Sequence, residues 1–390
     1  MKCLLVRTKD LALNDLAWGA SDAGHECRSL SIDCKTLDFD DNVIRFLTDY
    51  LDGYHADLVF TMNFSPSVSN ACQQKGIPYA SWLYDVPLQS LYSKEAFNDV
   101  NYFFHFDKKD IEIQKNRGLK NMFYLPLAAN FSRMGQLNIT SDDESNYSCD
   151  ISFVGGQYAD GRFAYYRDHL PLKFQNELNR IAYNAIDIWD GKDRIRNSMS
   201  EELINEMVKL SDEIPQDVLG MSNRQYFEEV ILTHAIAYTE RRLMLERIRD
   251  LNPRWYGSGA SEKDRIFGIQ YLPWLYYEDT LPKAYNLSKI NLSISIHSIS
   301  SGVPLRVFDI MGAGGFILTN YQPEIDELFE NGKEIFCYHN FDEMREICKF
   351  FLTHEDARLN VLLAGYRRIS NEYNYREAVI KIINSIFHTK

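Results

Sequence analysis

Short apolar runs alternate with amphipathic stretches through the first 126 positions. Residues 2–7, 27–32, 57–62, 79–83, 102–106 and 122–125 have the length and composition of strands. Between them, residues 41–51, 67–75 and 108–117 carry helical spacing, and Gly76 and Gly118 fall where helix C-caps belong. This alternation predicts parallel strands joined by crossover helices, and hence a doubly wound α/β sheet. Residues 128–149 break the rhythm: they are polar, rich in Ser and Asn, and carry the acidic triplet Asp142, Asp143 and Glu144, so they read as an interdomain linker.

A second series starts at Asp150. A strand over 151–154 ends at Gly155 and Gly156, and a largely helical stretch follows over 163–250, with a loop near 215–221. Strands are then expected at 254–257, 291–296, 316–319 and 334–338, and helices at 278–287, 304–313 and 323–329, with further helices to 388. The chain therefore divides into a Rossmann-like domain 1–127, a linker 128–149 and a second Rossmann-like domain 150–370 with a helical insertion at about 163–250. A C-terminal helix within 371–390 is expected to pack back on the first domain. Two such sheets facing each other leave a cleft at the C-terminal ends of their strands, where open α/β sheets bind ligands.

Charge narrows the ligand. Lys plus Arg is 42 against 55 Asp plus Glu in 390 residues, a net charge of -13. That field opposes the counterion release that nucleic-acid binding relies on, but leaves room for one local basic pocket. Seven scattered cysteines without a CxxC pair suit neither a disulfide framework nor a zinc site. With no signal-peptide pattern at the N-terminus, a cytoplasmic setting is expected, and no run of 18 apolar residues predicts an integral membrane span. The basic run Arg241, Arg242, Arg247, Arg249 and Arg254 is interleaved with apolar residues. It reads as an amphipathic surface helix with an i,i+4 pair from Arg242 to Glu246, peripheral membrane contact being its alternative use.

Candidate chemistry concentrates in 298–329. A strand runs into a Ser/Gly loop, Pro304 stands at the first helical position, and Gly314 and Gly315 close the helix. The N–H groups of Ser300, Ser301, Gly302 and Val303 are expected to point from the helix N-terminus, where geometry and dipole favour a phosphate. Helical spacing puts Arg306 and Asp309 on one ridge leading from that end. Arg306 could grip a diphosphate and Asp309 a ribose, or the two could be an ordinary i,i+3 surface pair.

The segment PLRVFDIMGAGGFILTNYQPEIDELFENGKEIFCY, from Pro304 to Tyr338, resembles the donor-binding half of the CgeB-like (spore maturation protein) glycosyltransferases. The likeness extends to GIPYASWLYDVP at 76–87, YLPLAAN at 124–130 and DISFVGGQY at 150–158. The resemblance implies the GT-B fold, with two Rossmann-like domains across a cleft and a nucleoside-diphosphate sugar, UDP-sugar favoured, as donor. It implies a glycan or protein acceptor on the first domain, and neither metal nor cofactor. In the broader retaining branch a Glu-x7-Glu motif lies on this helix; Asp309 falls at its second acidic position, the ribose contact, while the first falls on Ser301 and departs from the pattern. The Gly155, Gly156 loop is implied to meet the diphosphate, with Arg162 assisting the leaving group.

The remaining candidates follow from position. Asp85, after the strand 79–83, could deprotonate an acceptor hydroxyl or cap the following helix. Asn63 and Tyr84 are candidate acceptor contacts. His297 ends the strand before the phosphate loop, where a structural histidine is the commoner case. Tyr256 and Gly257 are candidates to border the nucleobase, and Tyr276 and Tyr277 could stack on it or fill a seam. Asp38 and Asp40 form a DxD triplet that reads as helix capping. Rival readings of the whole chain are a nucleotide-sugar epimerase of the same fold and a non-catalytic sugar-nucleotide or glycan-binding protein.

Overall fold

A computed structural model describes residues 1–8, 12–32, 39–159, 161–211, 220–257 and 265–388. The first sheet comprises β1 Lys2–Arg7, β2 Glu26–Ser31, β3 Leu58–Met62, β4 Tyr79–Leu83, β5 Asn101–His105 and β6 Met122–Tyr124, in the order β2-β1-β3-β4-β5-β6. The second comprises β7 Cys149–Val154, β8 Pro253–Tyr256, β9 Gln270–Leu272, β10 Ser288–Ser293, β11 Ile317–Asn320 and β12 Phe336–Tyr338, in the order β12-β11-β10-β7-β8-β9. Every pairing between these strands is parallel. Strand order reverses between β1 and β3 in the first sheet and between β7 and β10 in the second, so each sheet has a crevice at its switch point.

Eleven of the twelve strands lie where the apolar runs put them, within about three residues at either end. The missed ones are informative. β9 has three residues at a sheet edge, too short for periodicity to show. The helix Leu13–Asp22 buries Asp15 and Gly19 beside Leu13, Leu16 and Ala20, so its inward face does not look apolar. The expected linker is also more ordered than its polarity suggests. Helices Phe131–Met134 and Ser141–Tyr147 lie within it, and the acidic triplet forms the first turn of the latter, closed by a Thr140/Asp143 capping box.

Packing ties the two lobes together in three places. The insertion helices Arg162–His169, Leu172–Ala185 and Glu201–Lys209 share a core with the first domain, Leu178 and Phe227 packing in one cluster with Leu47, Val59 and Phe103. The helix Tyr375–Phe387 lies on Leu13–Asp22, where a Cβ added to Gly19 would come within 2.6 Å of the Tyr375 backbone. Between the lobes, Asp107 of the first domain accepts from the backbone N–H groups of Ser300, at 2.7 Å, and Ser301, at 3.0 Å. Among the described residues, no helix is long and apolar enough to cross a membrane.

Candidate active site

The loop after β4, the loop after β10 and the start of the helix Leu305–Gly312 enclose a cavity of about 440 Å³, within the usual range for small-molecule sites. Both lobes line it: Tyr84 and Asp85 from the first, His234, Arg241 and Arg306 from the second. The helix opens at Leu305, one residue later than expected, with Pro304 as its extended N-cap and no side chain capping it. Its first N–H groups and the positive end of its dipole therefore stand at the cavity wall.

Two guanidiniums converge there. A Cβ on Gly155 would meet Nη1 of Arg241 at 3.3 Å and Nη2 of Arg306 at 3.4 Å, so both cations crowd the bare backbone at the end of β7. Arg241 is 3% exposed, donates to the carbonyl of Gly156, and lies over the ring of Tyr158 at 4.4 Å. Its Nε is buried with no partner among the described residues, nor does a carboxylate there approach either guanidinium within ion-pair distance. Burial, and after it the neighbouring Arg306 charge, lower the Arg241 pKa to about 10. Like charges held together with no counter-ion among the described residues are a pre-formed anion site.

The opposite wall presents Asp85. Asp85 lines the cavity and is exposed to solvent there, yet the protein crowded around it raises its pKa against the pull of Asn63. Asn63 is held at φ 60°, donates to Asp85 Oδ2 at 2.7 Å and accepts from the Tyr84 backbone N–H at 3.0 Å. With both ends of its amide so engaged, Asn63 positions Asp85 and does not present itself to an acceptor. His234 completes the wall, its Nδ1 at 3.2 Å from Arg162. Arg162 stands behind His234, hydrogen-bonded also to Tyr226 at 3.3 Å, rather than on the cavity surface.

Several expected donor contacts are placed elsewhere. The N–H groups of Ser300 and Ser301 are occupied by Asp107, and the Ser301 hydroxyl lies 2.8 Å from Asp107 Oδ1 and 2.7 Å from Glu324 Oε1. Gly302 packs so tightly on Phe106 that a Cβ would fall 2.7 Å from it, and Val303 is buried. The loop is a seam between lobes, because a carboxylate from the first domain reaches its N–H groups. Asp309 does not share the cavity with Arg306. It accepts from Tyr277 at 3.1 Å in a buried cluster with Asp15 and Arg133, themselves paired at 2.9 Å. Burial, then the Asp15 charge, push Asp309 up to about 7.

His297 is turned away from the cavity, its Nε2 at 2.9 Å from Glu240 and its ring stacked on Trp189. Burial lowers its pKa, but the Glu240 carboxylate outweighs this and leaves it raised. Tyr256 is buried, and Gly257 packs on the carbonyl of Gly155, where a Cβ would lie 2.3 Å from it, so neither borders the cavity. Gly156 faces Trp274, which is half exposed, and neither lines the cavity. Asp40 caps the helix Asp41–Tyr54, accepting from Asn42 and Val43; Asp38 lies outside the described residues.

Arg241 is the residue that the reading of a surface helix misassigned. The pair Arg242–Glu246 forms at 3.9 Å on the outer face, but Arg241 points inward. The signal was available: Ala237, Met244, Leu245 and Ile248, at offsets of minus four, three, four and seven from Arg241, are all buried, so this arginine interrupts an apolar stripe. Such an interruption is costly unless the cation serves something.

Comparison with known proteins agrees with this architecture. Residues 240–384 match the family model described as glycosyl transferase-like. No match is found among curated proteins. Among solved structures, the T4 phage β-glucosyltransferase superposes with a TM-score of 0.54 at 10% identity, covering 99% of this chain and 100% of its own. A glycosyltransferase from Rickettsia africae gives a TM-score of 0.52 at 11% identity over 100% and 99% of the two chains. Anabaena HepE, solved with UDP and glucose, gives 0.51 at 9% identity over 99% of each. The fold is GT-B.

Proposed function

We propose that this chain is a glycosyltransferase that moves a sugar from a nucleoside-diphosphate sugar to an acceptor hydroxyl. The observation that carries the reading is the Arg241 and Arg306 pair beside Gly155, at an uncapped helix N-terminus, with Asp85 across the same cavity. The two guanidiniums and the helix end would bind the diphosphate and stabilise the charge that grows on it as the bond to the anomeric carbon breaks. Asp85 would accept the proton of the acceptor hydroxyl as the new carbon–oxygen bond forms. In this reading the arginines supply the positive charge, and neither metal nor cofactor takes part.

The glycosyl transferase-like match over 240–384 contains both arginines and supports the transferase class. T4 phage BGT was solved with its UDP-glucose substrate, which supports uridine as the base. The motifs quoted from the sequence extend the proposal to the CgeB-like branch, with a glycan or protein acceptor and a cytoplasmic setting.

The test is a thermal-shift series with UDP, GDP, CDP and dTDP, followed by incubation with a panel of sugar nucleotides. UDP is expected to raise the melting temperature, since a ligand that binds only the native state stabilises it. A UDP-sugar is expected to be hydrolysed slowly without acceptor. No shift with any of the four nucleotides, in wild type that unfolds cooperatively, would overturn the proposal.

A further inference from the structure

Two thiols meet at the N-terminal ends of β1 and β2, opposite the end of the sheet that borders the cavity. Cys3 and Cys27 are register partners in this parallel pair, so their side chains leave the sheet on the same face. There they share one apolar cluster with Leu13, Leu16 and Ala20 of the overlying helix. Cys3 is fully buried in it, and Cys27 packs against it from the edge strand β2, part-exposed. Adjacent strands lie about 4.8 Å apart, inside the roughly 4.4 to 6.8 Å of Cα separation that a disulfide spans. Among the described residues no other two cysteines face each other across a strand pair.

Exposure divides the work between them. Only Cys27 can meet a dissolved oxidant, because Cys3 has no exposed surface. Hydrogen bonding to Cys3 outweighs burial and lowers the Cys27 pKa, and the charged N-terminus adds to the effect. The same contact, with burial after it, raises Cys3. A part-exposed thiol that ionises first, beside a buried second thiol, is the arrangement in which an oxidised sulfur is captured by its neighbour. Closing the bond draws the strands together, since Cβ atoms in a disulfide lie about 3.8 Å apart, less than the strand spacing. The edge strand β2 pairs only with β1 and can yield. Strained disulfides are reduced readily, so the bond would be a reversible modification and not a permanent staple.

We propose that Cys27 and Cys3 form a reversible thiol–disulfide site that reacts with small-molecule disulfides of the glutathione type. The Cys27 thiolate attacks one sulfur of oxidised glutathione, forming a mixed disulfide and expelling one glutathione thiolate. Cys3 then loses its proton and attacks the Cys27 sulfur, which forms the Cys3–Cys27 bond and expels the second glutathione. Two protein thiols are oxidised, one glutathione disulfide is reduced, and the two thiol protons end on the released glutathiones. The site stands on the sheet register and does not depend on the transferase reading.

The test exposes the native full-length chain to oxidised glutathione, blocks the remaining thiols with iodoacetamide, and reads the result by intact mass and peptide mapping. Wild type is expected to lose two thiols without keeping a glutathione adduct, to yield a peptide linked through Cys3 and Cys27, and to recover both thiols in dithiothreitol. Cys3→Ala, which keeps the buried position apolar, is expected to stop at the glutathione adduct on Cys27. Cys27→Ser is expected to leave Cys3 unmodified, since the oxidant cannot reach it. Wild type that holds a lasting adduct on Cys27 overturns the proposal, because Cys3 then fails to capture it. So does wild type in which Cys27 stays unreacted, or in which Cys27 is linked instead to Cys34, which lies outside the described residues.

Discussion

Gly155 is where a single missing Cβ matters most. Its absence lets two guanidiniums approach one backbone turn, with Phe153 Cζ at 3.2 Å from the vacant position as a third wall. Gly155→Ala would crowd all three neighbours, and the flexible arginine ends must give way. A loss of UDP affinity of about threefold to tenfold is expected by calorimetry, with the melting temperature almost unchanged. Arg306→Ala and Arg241→Ala are each expected to cost about tenfold or more, the energy of a charge-assisted hydrogen bond. Undiminished UDP affinity in either variant would count against the anion site. Asp85→Asn separates binding from chemistry. It keeps the size of the side chain and removes the base, so transfer should fall about a hundredfold while UDP affinity holds. Equal losses in both would remove Asp85 from the chemistry.

At the scale of elements, the helix Leu305–Gly312 serves two purposes. Its first turn faces the cavity through Arg306, and its second buries Asp309 against the helix Leu13–Asp22 and the linker. Asp309 titrates near 7 in the folded protein, against an ordinary carboxylate value of about 4 in the unfolded chain. The native state thus holds this proton more tightly. Its stabilising effect is complete below about pH 4 and is lost as the pH rises through 7. Asp309→Asn keeps an oxygen for the Tyr277 hydroxyl and has no proton to lose. Its melting temperature is expected to gain on wild type between pH 5 and pH 8, ending about 2 °C or more above it. Parallel profiles across that range would show that the carboxylate is not the titrating group.

For the whole molecule, the structure limits the closing motion that a two-lobed cleft suggests. The insertion is built into the core of the first domain, the C-terminal helix clasps Leu13–Asp22, and Asp107 fastens the loop at Ser300 and Ser301. UDP is therefore expected to leave the radius of gyration unchanged within about 0.5 Å in small-angle scattering, for a chain whose compact radius is about 21 Å. A contraction of about 1 Å or more would show that these ties open. Gly19→Val tests the clasp directly. Its side chain would sit on the Tyr375 backbone, and the cost is expected to be about 2 kcal/mol or more in urea unfolding, the usual penalty for overpacking.

By itself, the sequence determined the two parallel sheets, most strand positions and the importance of the helix that begins beside Pro304. These follow from local apolar periodicity and turn residues, which act within one element and need no knowledge of neighbours. Arg306 and Asp85 were legible for the same reason, since a residue at the end of a parallel strand or the start of its helix faces the crevice wherever the fold puts it. Tertiary structure alone decided the rest. Asp107 could take the N–H groups of Ser300 and Ser301 only because another domain brings a carboxylate there, 193 positions away. Asp309 lost its exposure to a helix near the N-terminus, and Arg162 gave the front of the cavity to His234 and Arg241. Which side chains share a space is settled by contacts between distant segments, and local periodicity carries no record of them.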